Sequence, residues 1–350
     1  MSNWTIDDST EHFQIKLWTG NATNRTIDLD ENATMQPDFS WVKSRSNTYE
    51  PYLQNSTSGT SKYLRSHSSA SEQNGTIVTY NSSGFGIGSG AENNTNNTTN
   101  VGWFWKANGG TTSSMTGGNI NSVVQANQTA GFSIVTWSGN DATGQSVNHG
   151  LGTTPTFIMA KRTNGTADWY VYHRSLGNTK HMHLNNQNAV STTSDWGNYG
   201  PDANSFYTNN TATCIDGQDY IGFCFADIQG YSKFDYYTGT GNADGPFVYC
   251  GFKPGLVIIR NSTNSGYLWW MLDSKRPGFN FTDQVLYTDG TYAEFDGSGH
   301  ATNMGIDILS NGFKVKTTNT AINNDGANNI YMAWAENPFV SSEGVPTTAN

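Results

Sequence analysis

A chain of 350 residues with a formal net charge of −10 and a pI near 5.0 has its few Lys and Arg scattered, which argues against a general affinity for nucleic acid. No apolar run approaches the roughly 20 residues that a membrane span needs, so no membrane insertion is expected, and the N-terminal stretch has neither the basic start nor the apolar core of a secretory signal. Charged residues make up only 13% and aromatic residues another 13%, with Gly, Asn, Ser and Thr filling the difference; this argues against helices and disorder and for short strands joined by tight turns.

In chain order, Trp4-Thr5-Ile6 leads in as an edge strand or arm, as Val123-Val124 leads into Phe132. The first unit opens on Phe13-Gln14-Ile15-Lys16-Leu17-Trp18 and breaks at Thr19-Gly20-Asn21. It resumes at Pro37-Asp38-Phe39-Ser40-Trp41-Val42-Lys43 and closes on Val101-Gly102-Trp103-Phe104-Trp105. Residues 93–100 read as a low-complexity polar loop, and residues 108–119 as a Gly/Ser/Thr linker. Residues 132–162 then write the same pattern again: an apolar run to Trp137, a break at Ser138-Gly139-Asn140, Pro155, a second apolar run and a basic stop at Lys161-Arg162. A third copy runs from Phe234 through Tyr237, Thr238-Gly239-Thr240 and Pro254 to Arg260. Trp18, Trp137 and Tyr237 stand 119 and 100 residues apart, and Pro37, Pro155 and Pro254 stand 118 and 99 apart. Two matched spacings in register define a repeat.

The fold class expected is all-β, as tandem antiparallel β-sandwiches over residues 1–110, 111–234 and 235–340, with a flexible C-terminal tail over 341–350. Units two and three, with no slack between them, are expected to pack as a rigid pair. Alternation gives each strand one buried face: Phe39 and Trp41 against Ser40, and Phe157 and Met159 with Lys161 on the same side at the rim.

No metal and no cofactor is expected. His181-Met182-His183 puts two imidazoles on one strand face, with His149 and His173 in the same unit, but no third ligand stands at metal-site spacing; the reading is of solvated strand histidines. Asn323-Asn324-Asp325-Gly326, Asp283 and Asp289 lack the 12-residue calcium-loop pattern and read as turns. The run from Gly84 to Gly90 lacks the register and following helix of a phosphate loop. Cys214, Cys224 and Cys250 read as small buried hydrophobes. Asp168, Asp195, Asp202, Asp216, Asp219 and Asp273 are available as acids, yet nothing selects a pair, and no enzyme is expected. Asn-x-Ser/Thr sequons follow from composition alone. The binding candidates are the rings Trp169, Tyr170, Tyr172, Tyr267, Trp269 and Trp270, which fall on both faces of their strands. Either one face meets water, where rings stack on carbohydrate or contact protein, or both faces are covered by neighbouring units.

The run Phe132-Ser133-Ile134-Val135-Thr136-Trp137-Ser138-Gly139-Asn140, with His149-Gly150-Leu151-Gly152, Pro155-Thr156-Phe157-Ile158, Trp169 to His173 and Gly230-Tyr231-Ser232-Lys233-Phe234, is similar to a repeat-domain family in structural proteins of tailed bacteriophages, especially marine ones infecting cyanobacteria. Gly245-Pro246-Phe247-Val248-Tyr249 and Asn311-Gly312-Phe313-Lys314 resemble it as well. The resemblance covers about residues 4–340 and implies jelly-roll or lectin-like sandwiches on a virion, in a chain made in the host cytoplasm. It supplies no catalytic residues. The function expected is a virion structural protein, a tail-fibre or receptor-binding component. A capsid decoration or head-fibre protein is the alternative, and a glycan-degrading virion enzyme ranks last. The partners expected are other virion proteins, further copies of the chain in a homo-oligomer such as a trimer, and a host-surface glycan or protein. Unit one departs from the pattern: Asp30-Glu31-Asn32-Ala33-Thr34-Met35 stands in place of His-Gly-Leu-Gly.

Overall fold

The computed structural model describes residues 6–193, 195–296 and 304–338, so Trp4, Thr5 and the expected tail over 341–350 lie outside the described residues. The fold is all-β: among the described residues, helix is confined to three 3-10 turns and the four-residue helix Thr320–Asn323. Each unit has one large sheet and one small sheet laid over it. In unit 1 the large sheet has six strands, in the order Phe13–Thr19, Thr99–Trp105, Phe39–Ser44, Tyr52–Asn55, Lys62–Arg65, Gln73–Asn74. Its small sheet orders Arg25–Asp28, Gly84–Ile87 and Thr79–Asn81. Unit 3 repeats this order with Ser232–Thr238, Asn328–Pro338, Phe252–Asn261, Trp270–Asp273, Gln284–Tyr287 and Phe295–Asp296. Unit 2 repeats it from Phe132–Ser138 to Ser191–Thr192 and adds two strands outside, Ser113–Met115 and Ser122–Asn127.

The repeated motif has a physical cause. Trp18, Trp137 and Tyr237 leave the large sheet on its outer side and donate to a backbone carbonyl of the segment before the closing strand: Trp18 Nε1 to Asn93 at 2.7 Å, Trp137 Nε1 to Thr213 at 2.9 Å and the Tyr237 hydroxyl to Ile322 at 2.6 Å. An aromatic ring with a polar tip fills the small core and pins that segment with one side chain. The glycine two residues on passes so close to that segment that a Cβ on Gly20, Gly139 or Gly239 would collide with the backbone oxygen of Thr95, Ile215 or Asn324.

The three successive units pack against one another. Their large sheets turn their other faces toward one another and share a single core. Trp105, Phe225 and Trp334, at one register position of the three closing strands, meet in its middle. Their ring centroids lie 6.2 Å (Trp105–Phe225), 5.3 Å (Trp105–Trp334) and 5.3 Å (Phe225–Trp334) apart. Alternation feeds this core: Phe39, Trp41, Phe157 and Met159 point in, while Val42 and Ile158 point out under the small sheets.

The junctions close into a ring of pseudo-threefold symmetry. Glu72 N donates to Thr163 O at 2.9 Å from unit 1 to 2, Val190 N to Ser262 O at 3.1 Å from unit 2 to 3, and Glu294 N to Arg45 O at 2.7 Å from unit 3 back to 1. The basic residue ending each second apolar run crosses the same junction. Lys161 Nζ reaches Ser69 O at 3.2 Å, Arg260 Nη2 reaches Asn188 O at 2.8 Å and Lys43 Nζ reaches Thr291 O at 3.2 Å. These cations are buried, which corrects the expected place of Lys161 at the rim. Burial pushes Lys43 and Lys161 down to about 8 and Arg260 to about 10.

Other expectations change with the ring. The linker over 108–119 contains strand Ser113–Met115, which pairs with Ser122–Asn127, and the polar loop over 93–100 buries Asn93 and Asn94. The boundary at 234 falls inside strand Ser232–Thr238. The rigid pair of units becomes a ring of three.

The histidines are not solvated: His149, His173 and His181 are buried, and His183 is half-buried. His173 Nδ1 accepts from Ser175 N at 3.2 Å, and its Nε2 faces Tyr331 O of unit 3 at 3.3 Å, a set only the neutral ring satisfies. Burial pushes its pKa down from 6.5 to about 4. Between those values the unfolded chain binds the extra proton, so this contribution is complete above pH 6.5 and lost as pH falls toward 4. Thermal melts are expected to lose about 3 kcal/mol across that window, with a flatter profile in His173→Gln; equal slopes in both proteins would remove His173 from the account.

Candidate functional site: the junction grooves

Described residues line a groove at the unit 1–2 and unit 2–3 junctions of the ring. Between units 1 and 2 a cleft of about 440 Å³ is lined by Lys62, Glu72, Thr136, Trp137, Asp219 and Tyr220, among others. Lys62 Nζ lies 3.2 Å from Glu72 Oε2, and Asp219 Oδ1 accepts from Ser138 Oγ at 2.7 Å. Between units 2 and 3 a cleft of about 400 Å³ is lined by Lys180, Val190, Tyr236, Ser262, Thr263 and Asn328, with others. Tyr236 is 51% exposed, so it is open to a ligand.

Strand registers make these one site seen twice. Lys62 and Lys180 head equivalent strands; Glu72 and Val190 donate equivalent junction bonds to Thr163 and Ser262; Asp219 and Asn328 pair with Ser138 and Thr238. At the third junction the same place is filled. Arg45 donates to Glu294 at 2.9 and 2.8 Å and to Gln284 at 3.0 Å. Burial alone would push the Glu294 carboxyl up, but the Arg45 and Arg276 guanidinium groups hold it below the usual range.

None of the six expected binding rings lines either groove. Trp169 and Trp269 are buried and bridge units, donating from Nε1 to Arg65 O at 2.9 Å and to His183 O at 3.0 Å. Tyr172 is buried against Trp196 and donates to Asn178 Oδ1 at 3.2 Å; Trp270 is buried edge-on to Tyr287. Tyr170 is half-buried over His181 and His183, and Tyr267 is half-buried against the common core. Of the rings expected to be exposed, Trp169, Tyr172, Trp269 and Trp270 are thus buried and Tyr170 and Tyr267 half-buried.

The acids go to separate tasks. Asp219 enters a groove, while Asp202 accepts from Asn204 N and Ser205 N at 2.7 and 2.8 Å. Asp168 holds Asn185 Nδ2 at 2.7 Å, Asp195 holds His181, and Asp273 pairs with Arg276. Cys214, Cys224 and Cys250 are buried free thiols.

The groove residues escaped the sequence reading. Lys62 and Lys180 stand two residues before the core residues Leu64 and Met182, and aligning the second halves of the repeats exposes that match. Tyr236 follows Phe234 at period two, which carries it past the end of the core to the rim.

A family model described as a domain of unknown function, DUF7483, matches residues 8–338 and so takes in all three units. No curated protein and no solved structure matches the chain.

Proposed function

The chain belongs to the DUF7483 family, and from its geometry and motifs we propose that it is a structural attachment protein on the surface of a tailed-phage virion, a tail-fibre component whose junction grooves hold host-surface glycan. The observation that carries the glycan reading is the recurrence of one groove at two junctions. Each offers a lysine cation with hydroxyl and amide or carboxylate groups suited to sugar hydroxyls, and the unit 2–3 groove adds the exposed Tyr236 ring, suited to a sugar face. Two weak sites in one rigid body gain from avidity on a repetitive polysaccharide, and further copies of the chain would add to it. The virion assignment rests on the motif resemblance.

The recombinant protein is expected to bind polysaccharide from the host surface. Tyr236→Ala and Lys180→Ala are each expected to weaken the unit 2–3 groove roughly tenfold while melting as the wild type does. Unchanged affinity in both variants removes the grooves from the reading, and failure to bind any host polysaccharide sinks it. Release of new reducing ends by the purified protein would favour a glycan-degrading enzyme instead.

Capsid decoration is the second reading. It draws on the exposed rings of Phe247, Tyr249 and Phe279 on unit 3, a surface suited to contact with another virion protein. Antibody against residues 132–338 is expected to label fibres or the tail tip of purified particles; label spread over the shell would transfer the chain to decoration.

A further inference from the structure

Strand Lys180–His183 lies beside Tyr170–His173, and alternation sends Met182 into the common core while His181 and His183 share the opposite face. The Tyr170 ring packs on both imidazoles, at 5.3 and 5.1 Å between centroids. The His181 side chain is 4% exposed and the His183 side chain 15%, so the pair is reached from the His183 side. Their Nε2 atoms face each other at 3.3 Å.

The other nitrogen of each ring is already committed. His183 Nδ1 lies 3.2 Å from the Trp169 carbonyl, which only accepts, so that nitrogen carries the hydrogen. His181 Nδ1 lies 2.6 Å from Asp195 Oδ2 and 2.8 Å from Thr193 Oγ1. Asp195 accepts from the Thr193 hydroxyl on one oxygen and from Thr211 on the other, so both neighbours of His181 Nδ1 are acceptors and it too carries hydrogen. In two neutral rings the Nε2 lone pairs then point at one another, which is repulsive unless a cation lies between them. A shared proton draws such atoms to about 2.7–3.2 Å. A tetrahedral ion about 2.0–2.1 Å from each nitrogen holds them about 3.3–3.4 Å apart.

We propose that His181 and His183 chelate one divalent transition-metal ion of the zinc class through Nε2, with Asp195 and the Trp169 carbonyl as the positioning groups behind them. Among the described residues no third His, Cys, Asp or Glu completes the set, so the remaining positions belong to water or to oxygen donors of a bound ligand. The device is confined to unit 2. The equivalent pairs are Tyr63 with Arg65 and Val285 with Tyr287.

The test is calorimetric titration of the full chain with Zn²⁺ at neutral pH, paralleled by Co²⁺ with the visible d–d spectrum as readout. One ion per chain and a tetrahedral Co²⁺ spectrum are expected. His183→Gln is expected to lose both, and Asp195→Asn to weaken binding about ten- to a hundredfold. Absence of saturable binding by the wild type overturns the proposal, as does binding that survives in both His181→Gln and His183→Gln. Should a variant fail to fold, the wild-type imidazole ¹⁵N spectrum decides: both Nε2 resonances move on Zn²⁺ addition if they are the ligands, and unmoved resonances overturn the assignment.

Discussion

Trp105→Ala is expected to destabilise the whole molecule by about 3–5 kcal/mol and to shift one cooperative unfolding transition. The Trp105 ring touches Phe13 at 4.9 Å and Phe39 at 5.2 Å within its own unit, and Phe225 and Trp334 in the two others. Its loss therefore opens a cavity where three sheets meet, and no single unit can collapse to fill it. Urea unfolding followed by far-ultraviolet circular dichroism and by tryptophan fluorescence checks this. Coincident curves with a common shift are expected. A multiphasic curve with only one phase moved would mean that the units fold separately. For the same reason a fragment of residues 111–231 is expected to aggregate or remain unfolded, since alone it would expose Phe132, Ile134, Phe157, Met159, Phe223 and Phe225.

Arg276→Met is expected to cost about 3–5 kcal/mol by a different route. Arg276 and Asp273 are both buried side chains, with Nε 2.7 Å from Asp273 Oδ2, and Arg276 Nη1 lies 3.0 Å from Glu294 Oε2. Asp273 also receives Trp103 Nε1 at 3.2 Å, and the guanidinium carbon lies over the Trp103 ring, 5.8 Å from its centroid. Removing the cation strands a buried carboxylate beside the contact that closes unit 3 onto unit 1. Pairing Arg276→Met with Asp273→Asn is expected to restore part of the loss, because it removes the uncompensated charge. Chemical denaturation of the single and double variants measures this. A single-variant cost below about 1 kcal/mol would show that the network does not hold the junction.

The repeat was legible because Trp18, Trp137 and Tyr237 do their work inside their own units, where each needs a ring, a polar tip and a glycine two residues on. The all-β class was legible for a related reason: alternation is a local property. Ring closure was not. Arg45 and Glu294 stand 249 residues apart, and neither residue carries a local sign of the other. Lys161 looked like a strand end because a lysine after four apolar residues ordinarily meets water; here the neighbouring unit supplies the carbonyl of Ser69 instead. Trp169 and Trp269 looked like ligand rings because burial by another unit leaves no trace in their own strand. Ser113–Met115 lacks alternation, and only its pairing makes it a strand.

A ring closed inside one polypeptide obeys different rules from a ring of three separate chains. Dilution cannot take it apart, because each unit meets the next at an effective concentration fixed by the backbone. Nor must its corners stay alike. In a homotrimer a substitution at one interface appears at all three, whereas here Arg45 and Glu294 fill one junction while the other two stay open. The single chain thus has corners that differ around its axis, one closed by an ion pair and two open as grooves.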